Sequence, residues 1–296
     1  MINNKTSILV TGSKGQVGQE LKVLSENYNS FSFTYIDVDD LDITDVLAVN
    51  LFFKKNKFDY CINCAAYTAV DKAEEFEDVA YKVNTLGVKN ILESCQLNDC
   101  KLIQLSTDYV YHNNQNTPFK EDDETNPQGV YARTKLEGDH IALAGGGMVI
   151  RTSWVYSSFG NNFVKTMLRL GTDRAELGVI FDQIGTPTYA RDLAKAILNI
   201  IEKFANKEVG LDIFPSVYHF SNEGVASWYD FAMAIFEMSN ISVKVNAIET
   251  KDFPTAAKRP PFSVLNKNKI KETFGVKVPY WRTSLKSCLD ILLKSA

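Results

Sequence analysis

Tyr131 and Lys135 stand four residues apart in a stretch that reads as a helix, Tyr131 to Leu143. At that spacing two side chains share one helix face, so a phenol and an ammonium can point into the same space. A free phenol titrates near ~10 and is a poor acid at neutral pH. A cation beside it favours the phenolate and draws its pKa toward the working range. Such a pair suits reversible proton transfer to a carbonyl oxygen. The spacing also occurs on plain helix surfaces, and among 13 tyrosines it can arise by chance, so it needs support from the rest of the chain.

A second group of residues could hold a dinucleotide. Ser7–Thr11 reads as a short apolar strand, followed by Gly12-Ser13-Lys14-Gly15-Gln16-Val17-Gly18 and a helix from about Gln19 to Leu24. Strand, glycine turn and helix are the context such a site requires, although the spacing is G-x-x-G-x-x-G. Gly12, Gly15, Gln16, Val17 and Gly18 would bring free backbone N–H groups and the positive helix end to a pyrophosphate. A second strand, Ser32–Asp37, ends in an acid 22 residues beyond Gly15. That is near the ~20 at which a carboxylate meets the adenosine ribose. Asp42 and Ile43 would follow the loop toward the adenine. A third strand, Asp59–Ala65, leads to Ala65, Ala66 and Tyr67, where a cofactor could lie across the chain. Thr107 follows the strand Leu102–Ser106 and could hydrogen-bond a substrate carbonyl beside Tyr131; a capping threonine would look the same.

These residues need a scaffold. Helical readings fall at about Val46–Lys54 and over most of Ala73–Cys95, with Asn84 inside the latter. His112–Gly129 is polar, carries Pro118 and Pro127, and reads as a loop. Gly145-Gly146-Gly147 ends the Tyr131 helix, and Met148–Tyr156 reads as the next strand. Strands alternating with helices imply a parallel sheet covered on both faces, with ligands at the carboxyl ends of its strands.

The 296 residues are 45% hydrophobic and 23% charged, an ordinary globular composition. A net charge of −4 gives no support for a nucleic-acid or anionic-membrane surface. The stretch Met1–Thr6 runs almost at once into a strand and leaves no room for a signal peptide. No apolar run approaches the ~20 residues that span a bilayer. The five cysteines, 61, 64, 95, 100 and 288, are scattered and odd in number, which suits a reducing cytoplasm. Cys61 and Cys64 sit on a buried strand with no second ligand pair, so core packing is expected of them rather than zinc.

Taken together, the motifs carry a resemblance. The glycine turn, Ser106–Tyr111, Tyr131-x-x-x-Lys135, Arg151–Tyr156 and Gly160-Asn161-Asn162-Phe163 resemble the extended short-chain dehydrogenase/reductases. Ala66–Glu74, Asp182–Thr188 and Lys258-Arg259-Pro260-Pro261 are similar to the dTDP-4-dehydrorhamnose reductases within them. The resemblance implies an α/β fold: a Rossmann-type, doubly wound parallel sheet with a smaller C-terminal substrate-binding region. Residues 1–156 plus 188–223 would form the first part and 157–187 plus 224–296 the second. Within 188–223, Arg191–Phe204 reads as a helix and Val217–Ser221 as a strand returning to the sheet.

The same resemblance implies NADPH- or NADH-dependent reduction of the 4-keto group of dTDP-4-dehydro-L-rhamnose to dTDP-L-rhamnose. Tyr131 would protonate the alkoxide. Lys135 would hold the nicotinamide ribose and lower the Tyr131 pKa, and Thr107 would bond the same oxygen. Asp108, Trp154, Asn162 and Arg259 would contact the dTDP-linked 4-keto-6-deoxy sugar, Trp154 through its aromatic face. Tyr67 departs from the histidine of some relatives. Some relatives form metal-dependent dimers; no metal site is placed here, and a homodimer stays open. Another nucleotide-sugar reductase, a 4-epimerase or dehydratase of the same superfamily, or a non-catalytic regulatory subunit with this fold, are the alternatives. No basic residue lies between Asp37 and Asp45, so NADH is expected to serve at least as well as NADPH, with Lys14 the one nearby cation.

Overall fold

The computed structural model describes residues 5–294. The outermost residues of the two expected parts, 1–4 and 295–296, and most of the stretch read against a signal peptide lie outside the described residues.

Six parallel strands form the central sheet. In spatial order they are Val217–His219, Met148–Thr152, Lys101–Thr107, Tyr60–Asn63, Thr6–Thr11 and Phe31–Tyr35. The register pairs Val10 with Ile62 on one side and with Tyr35 on the other. Strand order reverses between Thr6–Thr11 and Tyr60–Asn63, and a doubly wound sheet opens its ligand crevice at that reversal. The strands are near-continuous apolar runs because both faces are covered. Ile8, Val10, Ile62, Ile103 and Ile150 pack on one face, under the helix Ala190–Ala205. Leu9, Cys61, Leu102 and Val149 pack on the other, under Val46–Lys55 and Gly87–Leu97. Cys61 is thus a core residue, while Cys64 packs on the opposite face.

A second core surrounds Tyr156, Phe231, Ile235 and Leu285. It is built by the helices Phe163–Asp173, Trp228–Met238 and Trp281–Leu292 with a parallel pair, Glu176–Ile180 and Lys244–Ile248. Ile270, Phe274 and Val276 pack instead into the first core. Among the described residues no helix is long and apolar enough to cross a membrane.

Several boundaries differ from the sequence reading; the third strand stops at Asn63, so Cys64 and Ala65 lie beyond it. The run Met148–Tyr156 is not one strand: it leaves the sheet after Thr152, and Val155–Tyr156 pair with Thr188–Tyr189. The break falls at Trp154, whose φ of 46° is left-handed. That conformation costs a non-glycine residue about 1–2 kcal/mol and interrupts the pleat. The second strand ends at Tyr35, so Asp37 stands in the loop beyond it. The segment read as helical over 73–95 is divided into Glu77–Tyr81, a π-helical turn Lys82–Leu86 and Gly87–Leu97.

Candidate active site

The carboxyl ends of the strands open into a cavity of about 850 Å³. Its floor at one end is the glycine turn. Gly12 has φ +60°, and a Cβ there would fall 2.6 Å from the Ala65 nitrogen. Gly18 would meet the Gly12 carbonyl at 2.6 Å. Only glycine lets these backbones close up. Gly15 caps the helix Gln16–Ser25 without any side-chain hydrogen bond, so its first N–H groups stay available to an anion. Gly12, Gly15, Gln16 and Val17 line the cavity, whereas Gly18 serves the packing of the turn.

Asp37, Asp42, Ile43, Ala65, Ala66 and Tyr67 line the cavity as well. The Asp37 carboxylate accepts the Lys14 N–H at 2.8 Å and the Val38 N–H at 2.9 Å. The Lys14 ammonium, the cation expected near this acid, is instead paired with Asp39. Tyr67 is fixed through its backbone: its N–H donates to Asn84 Oδ1 at 2.8 Å, and Asn84 Nδ2 reaches its carbonyl at 3.2 Å. Asn84 sits in the π-helical turn and also donates to Thr134 Oγ1, at 3.1 Å, on the Tyr131 helix. Such turns cluster where a helix must aim one side chain.

Tyr131, Lys135 and Thr107 share the cavity wall. The helix Val130–Ala144 begins one residue earlier than read from sequence, and its two residues do face one space. Their protonation differs from the expectation. Burial pushes the Tyr131 phenol up to about 12, partly offset by its hydrogen bond with Thr107, and Asp108 and Asp139 push it further up. Burial also draws Lys135 down to about 8, against the pull of Asp139 and Cys64. The Lys135 ammonium donates to the Leu105 carbonyl at 2.7 Å. The phenol is therefore protonated and suited to donate.

Thr107 does two things. Its oxygen accepts the Tyr109 N–H at 3.2 Å as a cap, and it lines the cavity with the Tyr131 phenol. Its hydroxyl donates to Asp108 Oδ1 at 3.2 Å. Asp108 is 2% exposed, and burial lifts its carboxyl to about 7. One helical turn beyond Lys135, the fully buried Asp139 accepts from Arg151 Nε at 3.1 Å. Arg151 in turn donates to the Tyr111 hydroxyl at 2.6 Å, which bonds His219 Nε2 at 2.9 Å.

Two residues expected at the substrate are engaged by protein partners. Asn162 caps the helix Phe163–Asp173 through Lys165 N–H and spends its amide on Gln16 Oε1 and the Ser157 carbonyl. Gly160 and Asn161 line the cavity beside it. Arg259 grips Asp71 with both guanidinium nitrogens, at 2.9 and 2.6 Å. Trp154 does line the cavity, and a residue absent from the sequence reading stacks on it: Trp228, with ring centroids 3.6 Å apart and planes 7° from parallel. Only the serine, aspartate and aromatic pattern of Ser227-Trp228-Tyr229-Asp230, a helix start, hinted at that position.

The chain matches the family model described as RmlD substrate binding domain over residues 6–294. It is 40% identical to the dTDP-4-dehydrorhamnose reductase of Aggregatibacter actinomycetemcomitans, covering 95% of this chain and 97% of that protein. The crystal structure of a dTDP-4-dehydrorhamnose reductase from Clostridium acetobutylicum superposes with a TM-score of 0.90 at 43% identity, over 97% of this chain and 99% of that one. The Bacillus anthracis enzyme of the same name, solved in complex with NADP, gives 0.90 at 34% identity over the same shares. The chain belongs to the RmlD substrate binding domain family, the family of the dTDP-4-dehydrorhamnose reductases.

Proposed function

We propose that this protein reduces the 4-keto group of dTDP-4-dehydro-L-rhamnose to give dTDP-L-rhamnose, using NADPH or NADH. The observation that carries this is the single cavity joining an uncapped helix start behind Gly12 and Gly15 to the Tyr131, Lys135 and Thr107 side chains. The close-approach glycines and the Asp37 carboxylate fit a dinucleotide, and the relative from Bacillus anthracis is solved in complex with NADP. When bound, the reduced nicotinamide supplies the hydride.

The chain's own residues do the rest. Tyr131 donates its proton to the alkoxide that develops at the ketone oxygen, where charge appears. Thr107, which lines the same cavity, would bond the same oxygen. Lys135, held by the Leu105 carbonyl, presents a cation to the nicotinamide ribose and to the phenolate that proton transfer leaves. Asp108 and Trp154 line the same cavity and would bound the sugar. Residues 157–187 and 224–296 supply most of the second core and would form the substrate-binding part, joined to the dinucleotide part at Trp154. Five cysteines without disulfides suit a cytoplasmic enzyme. The test is NADPH or NADH oxidation by the purified protein with dTDP-4-dehydrorhamnose. Absence of net oxidation, with the sugar nucleotide isomerised instead, would favour a 4-epimerase.

A further inference from the structure

Trp154 is fixed from every side. Its left-handed φ of 46° turns the chain out of the sheet. Its carbonyl accepts the Thr188 N–H at 3.1 Å, and the neighbouring Ser153 hydroxyl donates to the Thr186 carbonyl at 2.8 Å. Its ring lies against Gly185, where a Cβ would fall 2.6 Å from Cε2. Backbone strain of this kind persists only where the surroundings over-determine it, and it clusters at ligand sites.

Trp228 completes that restraint from the other part of the chain. It is the first residue of the helix Trp228–Met238, whose start is locked by the reciprocal bonds of Ser227 and Asp230. Its indole N–H donates to Gln183 Oε1 at 3.2 Å. Gln183 is 3% exposed and is itself held by Thr250, at 3.1 Å. Phe163 packs on the Trp228 ring with centroids 4.7 Å apart. So Trp228 cannot swing away, and Trp154 lies flat on it.

The location follows from the register. Thr152 pairs with Thr107, and Trp154 is two residues farther along that strand's direction. Both indoles line the cavity that also holds Tyr131. A flat apolar wall beside the proton donor suits the C–H face of a deoxy sugar, whose hydroxyls can then point to polar groups.

We propose that Trp228 is a positioning residue for the sugar ring: it holds the Trp154 indole as a preformed wall beside Tyr131 and Thr107. This rests on the reductase reading above. It does not extend to the dinucleotide, which meets other residues.

The experiment compares wild type, Trp228→Ala and Trp228→Phe in steady-state kinetics with dTDP-4-dehydrorhamnose, and in circular dichroism with and without dTDP-L-rhamnose. Two indoles stacked this closely give an exciton couplet, a signal independent of turnover. We expect Trp228→Ala to lose the couplet and to raise the KM for the sugar nucleotide at least about tenfold, with kcat and NADPH affinity within about threefold. Trp228→Phe should recover most of the KM. In wild type the couplet should survive saturation with dTDP-L-rhamnose, as a preformed wall requires. An unchanged KM in Trp228→Ala, or a kcat and NADPH affinity that fall together with it, overturns the proposal. Should the alanine variant fail to fold, a wild-type couplet that collapses on saturation with dTDP-L-rhamnose overturns it equally. Wild-type turnover is the control for the reductase reading. Its loss sinks both, whereas normal wild-type turnover with an unmoved KM in the variant sinks the positioning role alone.

Discussion

The ammonium of Lys135 donates to the carbonyl of Leu105 across 2.7 Å, from the helix of Tyr131 to the strand that ends in Thr107. Burial brings this lysine down to about 8. Its charge is present below that pH and fades above it. We therefore expect kcat/KM, which reports the free enzyme, to fall as pH rises through about 8. The linkage has the opposite sign. Between about 8 and the ordinary lysine value of 10.5 the unfolded chain binds the proton and the folded one does not, so this group's contribution to stability rises with pH there. Lys135→Met should flatten that rise in denaturant midpoints and lower kcat on the order of 10²-fold or more.

Asp108 titrates the other way. Burial raises its carboxyl to about 7, so between the ordinary value of 3.8 and about 7 the folded state holds the extra proton. Its contribution to stability is present at low pH and is lost as pH rises through that window. Asp108→Asn keeps an oxygen for the Thr107 hydroxyl and removes the charge. The variant's melting temperature relative to wild type should increase steadily from pH 4 to pH 7.5. A constant difference across that range would show that Asp108 is not a buried acid.

Arg259 and Asp71 form a two-pronged ion pair, with Asp71 held below the usual carboxylate range by the arginine. A double-mutant cycle of Arg259→Met and Asp71→Asn should give a coupling of about 1 kcal/mol at neutral pH, kept small because Asp71 is 45% exposed. The coupling should vanish as pH falls through the range where Asp71 takes up its proton. The KM for the sugar nucleotide should change less than about threefold in Arg259→Met. A rise of about tenfold without loss of stability would return Arg259 to the substrate diphosphate.

The sequence made the chemistry readable where it is local. Tyr131 and Lys135 are joined by helix periodicity alone, and Gly12, Gly15 and Gly18 by what a tight turn between strand and helix demands. The alternation of strands and helices sufficed for the parallel sheet. What stayed hidden depends on distant partners. Trp228 meets Trp154 across 74 positions, Asn84 meets Thr134 across 50, and no spacing rule links them. The Tyr131 pKa was misread because its sign is set by burial, a tertiary property, rather than by the nearest charge. Met148–Tyr156 looked like one strand because a left-handed Trp154 leaves no mark on the alternation of apolar residues.

Cofactor choice follows from Asp37. Its carboxylate faces the cavity and is held by two backbone N–H groups, and Lys14 is engaged by Asp39. A 2′-phosphate would meet negative charge there, whereas free ribose hydroxyls would find an acceptor. We expect kcat/KM for NADH to equal or exceed that for NADPH at saturating sugar nucleotide. Asp37→Ser should move the ratio toward NADPH by about tenfold, or ~1.4 kcal/mol. A wild-type preference for NADPH above about tenfold would place Asp37 away from the ribose.

The central claim is that Tyr131 gives its proton to the ketone oxygen while Thr107 steadies that transfer. The direct measurement is kcat for NADPH oxidation with dTDP-4-dehydrorhamnose in wild type, Thr107→Val and Tyr131→Phe, with NADPH affinity measured alongside. Tyr131→Phe should bind NADPH normally and lose turnover by the 10²–10⁴-fold typical of roughly one positioned general acid. Thr107→Val should lose less, since one neutral hydrogen bond is worth ~0.5–1.5 kcal/mol. A Tyr131→Phe enzyme within about threefold of wild type would contradict the account, and a larger loss at Thr107 than at Tyr131 would move the proton route to the threonine.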